Sequence, residues 1–473
     1  MKAIDTGSNF EPNPMIRVFA SPLLRTAAAT AAVTLSAVVW EAHPARAQDA
    51  APDVLAFPRA EGAGRMARGG RGGRVLRVTN LNDSGPGSLR AAVEIEGPRT
   101  VVFDIGGTIA LASPLTIRRG RITLAGQTAP GGGITLRDHA LVIAADDVVV
   151  RHIRSRLGDE SRVESDAISI ERGRRIILDH VSASWSVDET LSVGSRYDPP
   201  ERGIYDVTVQ WSVISESLNA SGHAKGEHGY GSLVRGGHGA RMTFHHNLWA
   251  AHRARMPRPG NYNPPSVDPE GPRFEFRSNL FHDWGGSHAG YNADTESLST
   301  YAFIGNVYIA GPDSVGRWAF EESNPLARAW FEDNSMDGQV PSDPWSLVKD
   351  SDRPGYRLPG RPDWAAAATG TSAETEAAVL AHAGAGPVRD AVDERIVAAV
   401  GTRSLRIIDS QSQVGGWPVL APGTPWIDHD ADGMPDNWET AHGLDPADAG
   451  DGALDRDSDG YTNLEDWLNS LIR

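Results

Sequence analysis

The sequence predicts an all-β protein, a parallel β-helix with a partly helical C-terminal extension and a small calcium-binding tail. Three observations carry this. Short runs of alternating apolar and polar residues fill the middle of the chain, as strands with one buried face do. Marker residues Gly126, His152, His180, Ser212, Asn247, Asn279, Asn306 and Asn334 follow one another at intervals of 26 to 35 residues. A period of that size marks a solenoid. The last four markers are all Asn at one point of the repeat, where stacked amides hydrogen-bond along an axis. A strand that cannot bury its face alone stacks on its neighbours, so one elongated core serves a chain of 473 residues.

Residues 1–47 read as a leader outside the fold. Arg17 and Arg25 precede an apolar run over 27–40, and Ala45-Arg46-Ala47 fits a small-x-small cleavage site. This is a secretory signal, too short and alanine-rich to span a membrane, with Met15 as an alternative start. The expected location is outside the cytoplasm, in periplasm or medium. The chain has no cysteine, so it forms no disulfides.

The β-helix is expected over 48–345. Residues 61–74 are rich in Gly and Arg, but no Gly-Lys-Ser/Thr follows, which excludes a phosphate loop and leaves a flexible entry loop. Residues 88–93 predict a short helix with Ser88 as N-cap, covering the open end of the solenoid. Residues 101–105 and 115–117 begin the coils. Over 346–420 the pattern changes. Residues 364–400 are Ala-rich with helical spacing, predicting two helices against the solenoid, and 415–425 read as a linker.

The tail, 421–473, carries metal chemistry. Asp428, Asp430, Asp432 and Gly433 are followed by Glu439, matching the D-x-D-x-D-G-x5-E calcium loop. Carboxylates at alternate positions converge on a hard cation, and the glycine permits the sharp turn. Asp455, Asp457, Asp459, Gly460 and Asp466 repeat the spacing. The plain alternative is a solvated acidic tail, which two copies of one spacing disfavour. The tail resembles the thrombospondin type-3 or dockerin-like calcium repeats, which implies a structural or attachment role.

Charge follows the same division. The net charge is −16. The tail holds two basic and thirteen acidic residues, so the solenoid itself is only mildly acidic. Basic patches survive on such a surface. A nucleic-acid partner needs a strongly basic face, and none is evident. No other stretch is long and apolar enough for a membrane span. A monomer is expected.

The chemistry concentrates in residues 150–258. Glu164 and Asp166 are two apart in an expected strand, so they share a face. Asp188 follows on the next coil. Three carboxylates on adjacent coils repel unless a cation sits between them, and calcium takes hard oxygen ligands. The alternative is a solvated acidic surface. Glu189 and Ser192 are extra ligands or bystanders. Lys225, Arg253, Arg255 and Arg258 beside the carboxylates suggest a groove for an anionic ligand. His245 and His246 read as stacking or core residues. Trp185 and Trp249 fit either the core or a sugar-packing surface.

Residues 60 to about 340 resemble the pectate lyases of polysaccharide lyase family 1. Ile177-Leu178-Asp179-His180 resembles that family's V-W-I-D-H element. Thr243-Phe244-His245-His246-Asn247 with Arg255-Met256-Pro257 resembles its second signature. The resemblance implies a right-handed β-helix that cleaves pectate by calcium-dependent β-elimination. It implies Arg255 as the base, Glu164, Asp166 and Asp188 as calcium ligands, and Lys225 on the substrate carboxylate. Two positions depart from the pattern. Ser192 stands where a further carboxylate is usual. Gly260 stands where a substrate arginine is usual, with Arg258 as its substitute and Arg253 nearby. A β-helix hydrolase working through paired carboxyl groups and a non-catalytic binder of acidic polysaccharide are the alternatives.

Overall fold

Why the repeat closes into coils is visible in its corners. The computed structural model describes residues 54–194, 200–362, 364, 367–368 and 370–472. The expected leader lies outside them. Among the described residues the pairings between strands are parallel and join residues one coil apart. Ten strands, from Arg74–Val78 to Ala327–Glu332, stack in sequence order as the spine of a fifteen-stranded sheet. A nine-stranded sheet forms a second wall. A third wall runs through Leu115–Ile117, Leu141–Ala144, the start of Ile168–Asp179, Leu191–Val193, Leu233–Arg235 and Arg258–Gly260. This is a parallel β-helix, as the repeat predicts.

Between the first two walls each coil turns through one left-handed residue. His152, His180, Trp211 and His246 have φ between 51° and 56°. They also stack as rings, at centroid distances of 4.9, 6.2 and 4.2 Å. The next residue faces inward. Ser212, Asn247, Asn279, Asn306 and Asn334 form the ladder: each Asn amide donates to the Oδ1 of the next, 3.1, 3.1 and 2.9 Å away. The repeat spacing puts His152 and His180 in phase with Ser212. They instead match Trp211, one residue earlier. The turn requires a left-handed residue first and an inward polar residue second, and the two sites were merged.

Aromatic rings fill the later coils. Phe244, Phe276, Phe303 and Phe331 stack at 5.5, 4.9 and 4.7 Å. Each such pair is worth about 0.5–1.5 kcal/mol beyond its area. At the other end Leu89–Glu94 buries Leu89, Ala92 and Val93 over the first coils, and Ser88 Oγ accepts from Ala91 N at 3.2 Å.

The glycine-rich stretch after residue 61 is not a free loop. It lies along a row of threonines: Ala63 N donates to Thr243 Oγ1, Gly64 N to Thr208 Oγ1 and Gly70 N to Thr123 Oγ1, at 3.1, 2.8 and 2.9 Å. A Cβ at Gly64 would overlap the Ile176 carbonyl. The glycines allow backbone to lie flat on the sheet.

Helices Ser372–His382 and Ala391–Gly401 cover the second wall, burying Val379, Val392 and Ile396 against Val213, Leu248 and Leu280. The tail packs on the first wall. Met434, Leu464, Trp467 and Leu468 close over Ala125 and Val75. Arg71 pairs with Glu465 at 2.8 Å and Arg77 with Asp428 at 2.6 Å. Among the described residues no helix is long and apolar enough to cross a membrane.

Candidate active site

A carboxylate cluster forms where the chain enters the third wall. Glu164 and Asp166 precede the strand Ile168–Asp179 rather than lying in it, so the expected shared strand face does not exist. The Ser165 carbonyl accepts from Val187 N and Asp188 N, both at 3.2 Å. That double bond lays the next coil against this loop and sets Asp188 beside Asp166. Asp166, Asp188 and Glu189 each bring an oxygen within 4.8 Å of the others. Burial, and then the charge of Asp188, push the Asp166 carboxyl up to about 8. Such a site favours a proton or a cation.

Glu164 turns elsewhere. It is largely exposed, accepts from Ala224 N at 2.6 Å and lies 3.6 Å from His223 Nε2. His223 and His228 stack at 3.8 Å, and His228 Nε2 is 2.9 Å from Asp188 Oδ1. His223 Nδ1 accepts from Lys225 N at 3.0 Å. In a neutral ring that leaves Nε2–H as a donor toward the carboxylates. The loop bearing Lys225 is thereby tied to Glu164 and Asp188, while the Lys225 side chain is exposed.

Stacking of coils then delivers Arg255. Isolated bridges join Glu189 to Tyr230 and Tyr230 to Ala254. The Arg255 carbonyl accepts from Ser232 N at 2.7 Å, and its backbone is left-handed, with φ 63°. The guanidinium is mostly buried, ion-paired with Glu189, and lies 4.2 Å above the Tyr230 ring. So Glu189 belongs to both the carboxylate cluster and the arginine. Sequence reasoning left it as ligand or bystander and missed Tyr230, because each is defined by its cross-coil neighbour.

Beyond Arg255, Arg235 and Gly260 are register partners on adjacent strands. A side chain at 260 would overlap the Arg235 guanidinium and the Asp294 carboxylate, which are ion-paired. The Gly260 departure is therefore filled from the neighbouring coil. Arg258 lies 3.8 Å from Asp294 and 5.3 Å from the Tyr291 ring, and burial lowers its pKa. Arg253 pairs with Glu227 at the surface. Ser192 faces Ser169 in register and hydrogen-bonds Asp166. Asp179 is bound by Arg151, His180 and Gln210 at 2.8, 2.9 and 2.8 Å, a structural role.

The tail holds a second cluster. Asp428, Asp430 and Asp432 converge as the spacing predicts, and Asp432 also meets Glu439 and Asp451. Asp430 Oδ2, Asp432 Oδ2, both Glu439 oxygens and Asp451 Oδ1 are buried without a hydrogen-bond partner. Burial and neighbouring carboxylates push Asp432 up to about 7 and Glu439 up to about 8. Buried orphan carboxylates of this kind fit a hard cation. Asp451 lies outside the loop motif, so the spacing could not show it. In the second loop Asp455, Asp457 and Asp459 accept from Gly460, Asp459 and Tyr461 N at 2.9, 3.2 and 2.8 Å. Asp466 is pushed up to about 6 by burial and those aspartates.

No family model matches the chain. It is 37% identical over 436 residues to the probable pectate lyase C of Aspergillus fumigatus, covering 89% of this chain and 94% of that protein. The proteins of the same name from Neosartorya fischeri and Emericella nidulans are 36% and 37% identical, covering 94% and 93% of their lengths and 89% of this chain. Among solved structures, one of a pectate lyase described for its substrate specificity and anti β-elimination mechanism gives a TM-score of 0.51 at 14% identity, covering 70% of this chain and 98% of that one. The cedar pollen allergen jun a 1 gives 0.50 at 16% identity, covering 69% and 92%. At those identities the structures speak to the fold alone.

Proposed function

Because this chain belongs to the pectate lyases, we propose that it is an exported, monomeric, calcium-dependent enzyme that cleaves polygalacturonate by β-elimination. The carrying observation is the meeting of Asp166, Asp188 and Glu189 beside the Arg255 guanidinium. Those carboxylates, with Glu164 at the rim, supply the hard oxygen donors that calcium prefers. Bound there, calcium would polarise the substrate's uronate carboxylate and acidify its C5 proton, a Lewis-acid role.

Arg255 takes the C5 proton in this reading, and the C4 oxygen leaves, giving a 4,5-unsaturated chain end. Glu189 pairs with Arg255 and is also near enough to Asp166 and Asp188 to share a cation with them. Arg258, Lys225 and Arg253 offer cations to further uronate groups.

A hydrolytic reading has one observation in its favour. An Asp166 carboxyl pushed up to about 8 could donate a proton to a leaving sugar. An assay on soluble polygalacturonate, with and without chelator, separates the two. Elimination gives the ultraviolet absorbance of unsaturated uronides, and chelator abolishes it. New reducing ends without that absorbance would establish hydrolysis, and binding without turnover would establish a non-catalytic role.

A further inference from the structure

We propose that a trough on the far edge of the third wall, walled by Arg118, Arg121, Arg172, Arg174 and Arg202, binds a second stretch of polyuronate. This rests on the pectate lyase reading and extends it to a site outside the carboxylate cluster.

The trough has a cavity of about 580 Å³ and crosses successive coils. Its floor is made of small residues, Gly97, Gly120, Ala144, Ala145, Gly173 and Gly203. A Cβ at Gly120 would overlap the Asp146 carbonyl, and one at Gly173 the Ala145 carbonyl. The glycines let successive coils pack backbone to backbone here, and coils rise roughly 4.8 Å each. The five arginines are exposed. Arg172 Nε is anchored on the Ala144 carbonyl at 2.9 Å, and Arg174 lies 4.9 Å over the Tyr205 ring. Arg118, Arg121 and Arg202 have no side-chain partner among the described residues.

Three carboxylates also line the trough, and one is already paired. Asp147 takes two bonds from Arg175, at 2.7 and 2.6 Å, and one from Arg68 N. Asp146 accepts from Arg174 N at 3.1 Å. Asp146, exposed on one side, and Glu201, at one end, are left as charges facing the five arginines. A row of unspent guanidiniums on a chain of net charge −16 calls for a ligand with repeated planar anions. Polyuronate carries one carboxylate per sugar and is the polymer processed at the other edge of the same wall. Asp166 and Arg172 flank that wall along one stretch of chain, roughly 20 Å apart at about 3.3 Å per residue. A polymer held in the trough is presented to the carboxylate cluster at raised effective concentration. A trisaccharide is too short to reach both.

The test compares the unsubstituted enzyme with R118E/R121E/R202E. With long polygalacturonate, KM should rise about tenfold or more, the scale of a lost second attachment, and kcat should hold. With trigalacturonate, kcat/KM should be unchanged. In an R255A background, polymer binding should weaken by the same factor, and less so at high salt. Unchanged polymer binding overturns the proposal, and so does tighter binding of duplex DNA than of polygalacturonate. Should the triple variant fail to fold, R202Q must still raise the polymer KM about two- to threefold, and no rise overturns it. Failure of the lyase reading shows separately, as trigalacturonate left without ultraviolet-absorbing product by the unsubstituted enzyme.

Discussion

Arg255 is constrained from three directions, by Glu189, by the Tyr230 ring and by a left-handed backbone. Lysine keeps the charge but loses the planar fork that meets both neighbours. Loss of a positioned base costs about 100- to 10,000-fold, so Arg255→Lys should lose at least about 100-fold in turnover. Arg253→Lys, at the surface beside Glu227, should lose far less. Equal losses at the two positions would remove Arg255 from the base role. The Asp166 carboxyl gives a second expectation. With its pKa near 8, a proton competes with calcium at neutral pH. The calcium concentration giving half-maximal activity should fall as pH rises toward and past 8. A pH-independent calcium requirement would mean that Asp166 is not a ligand. Asp166, Asp188 and Arg255 are named by the family resemblance and do lie near one another through Glu189, although the strand spacing expected of Glu164 and Asp166 does not hold. Glu189, Tyr230 and Arg235 act through neighbours 24 to 66 residues away, a relation that no linear spacing displays.

The asparagine ladder was legible as an element, since four amides repeat in phase. Its first rungs were not, because rings in the left-handed corner and polar residues after it look alike in sequence. Asn279 accepts from Asn247 N and Nδ2 at 3.0 and 3.1 Å and donates to the Phe244 carbonyl at 2.9 Å. Asn279→Ala strands those groups without water. Each buried orphan costs about 1–3 kcal/mol, so the melting temperature should drop by several degrees with the coil count unchanged in circular dichroism. An unaltered melting temperature would show that backbone pairing alone holds this corner. The Gly-rich stretch after residue 61 was misread for the opposite reason. Glycine marks both free loops and backbone pressed on a sheet, and only the threonine row beneath it decides between them.

At the scale of the whole molecule, the acidic tail is not a free appendage. It is pinned to the first wall by Arg71, Arg77 and a patch around Ala125. Removing residues 421–473 should lower the melting temperature and leave turnover of trigalacturonate largely intact. A folded but inactive truncation would contradict that separation. Without calcium, Asp432 and Glu439 hold protons in the folded state that the unfolded chain releases. Stability of the chelated enzyme should therefore fall as pH rises from the ordinary carboxylate range to about 8. Added calcium should cancel the fall, and a slope that calcium leaves alone would place the cation elsewhere. A solenoid's coils touch only their neighbours, so it frays from its ends. Here the first coil, at Arg71 and Arg77, is held by Glu465 and Asp428 from the last stretch of chain. The end most prone to open is latched by the tail, and a cation held by Asp428, Asp430 and Asp432 would fasten the latch. Chelator should then speed unfolding while leaving refolding nearly unchanged, as expected of contacts formed late. With calcium in that loop, the lifetime of the folded protein would follow the free calcium around it, and a fall in that calcium would shorten it.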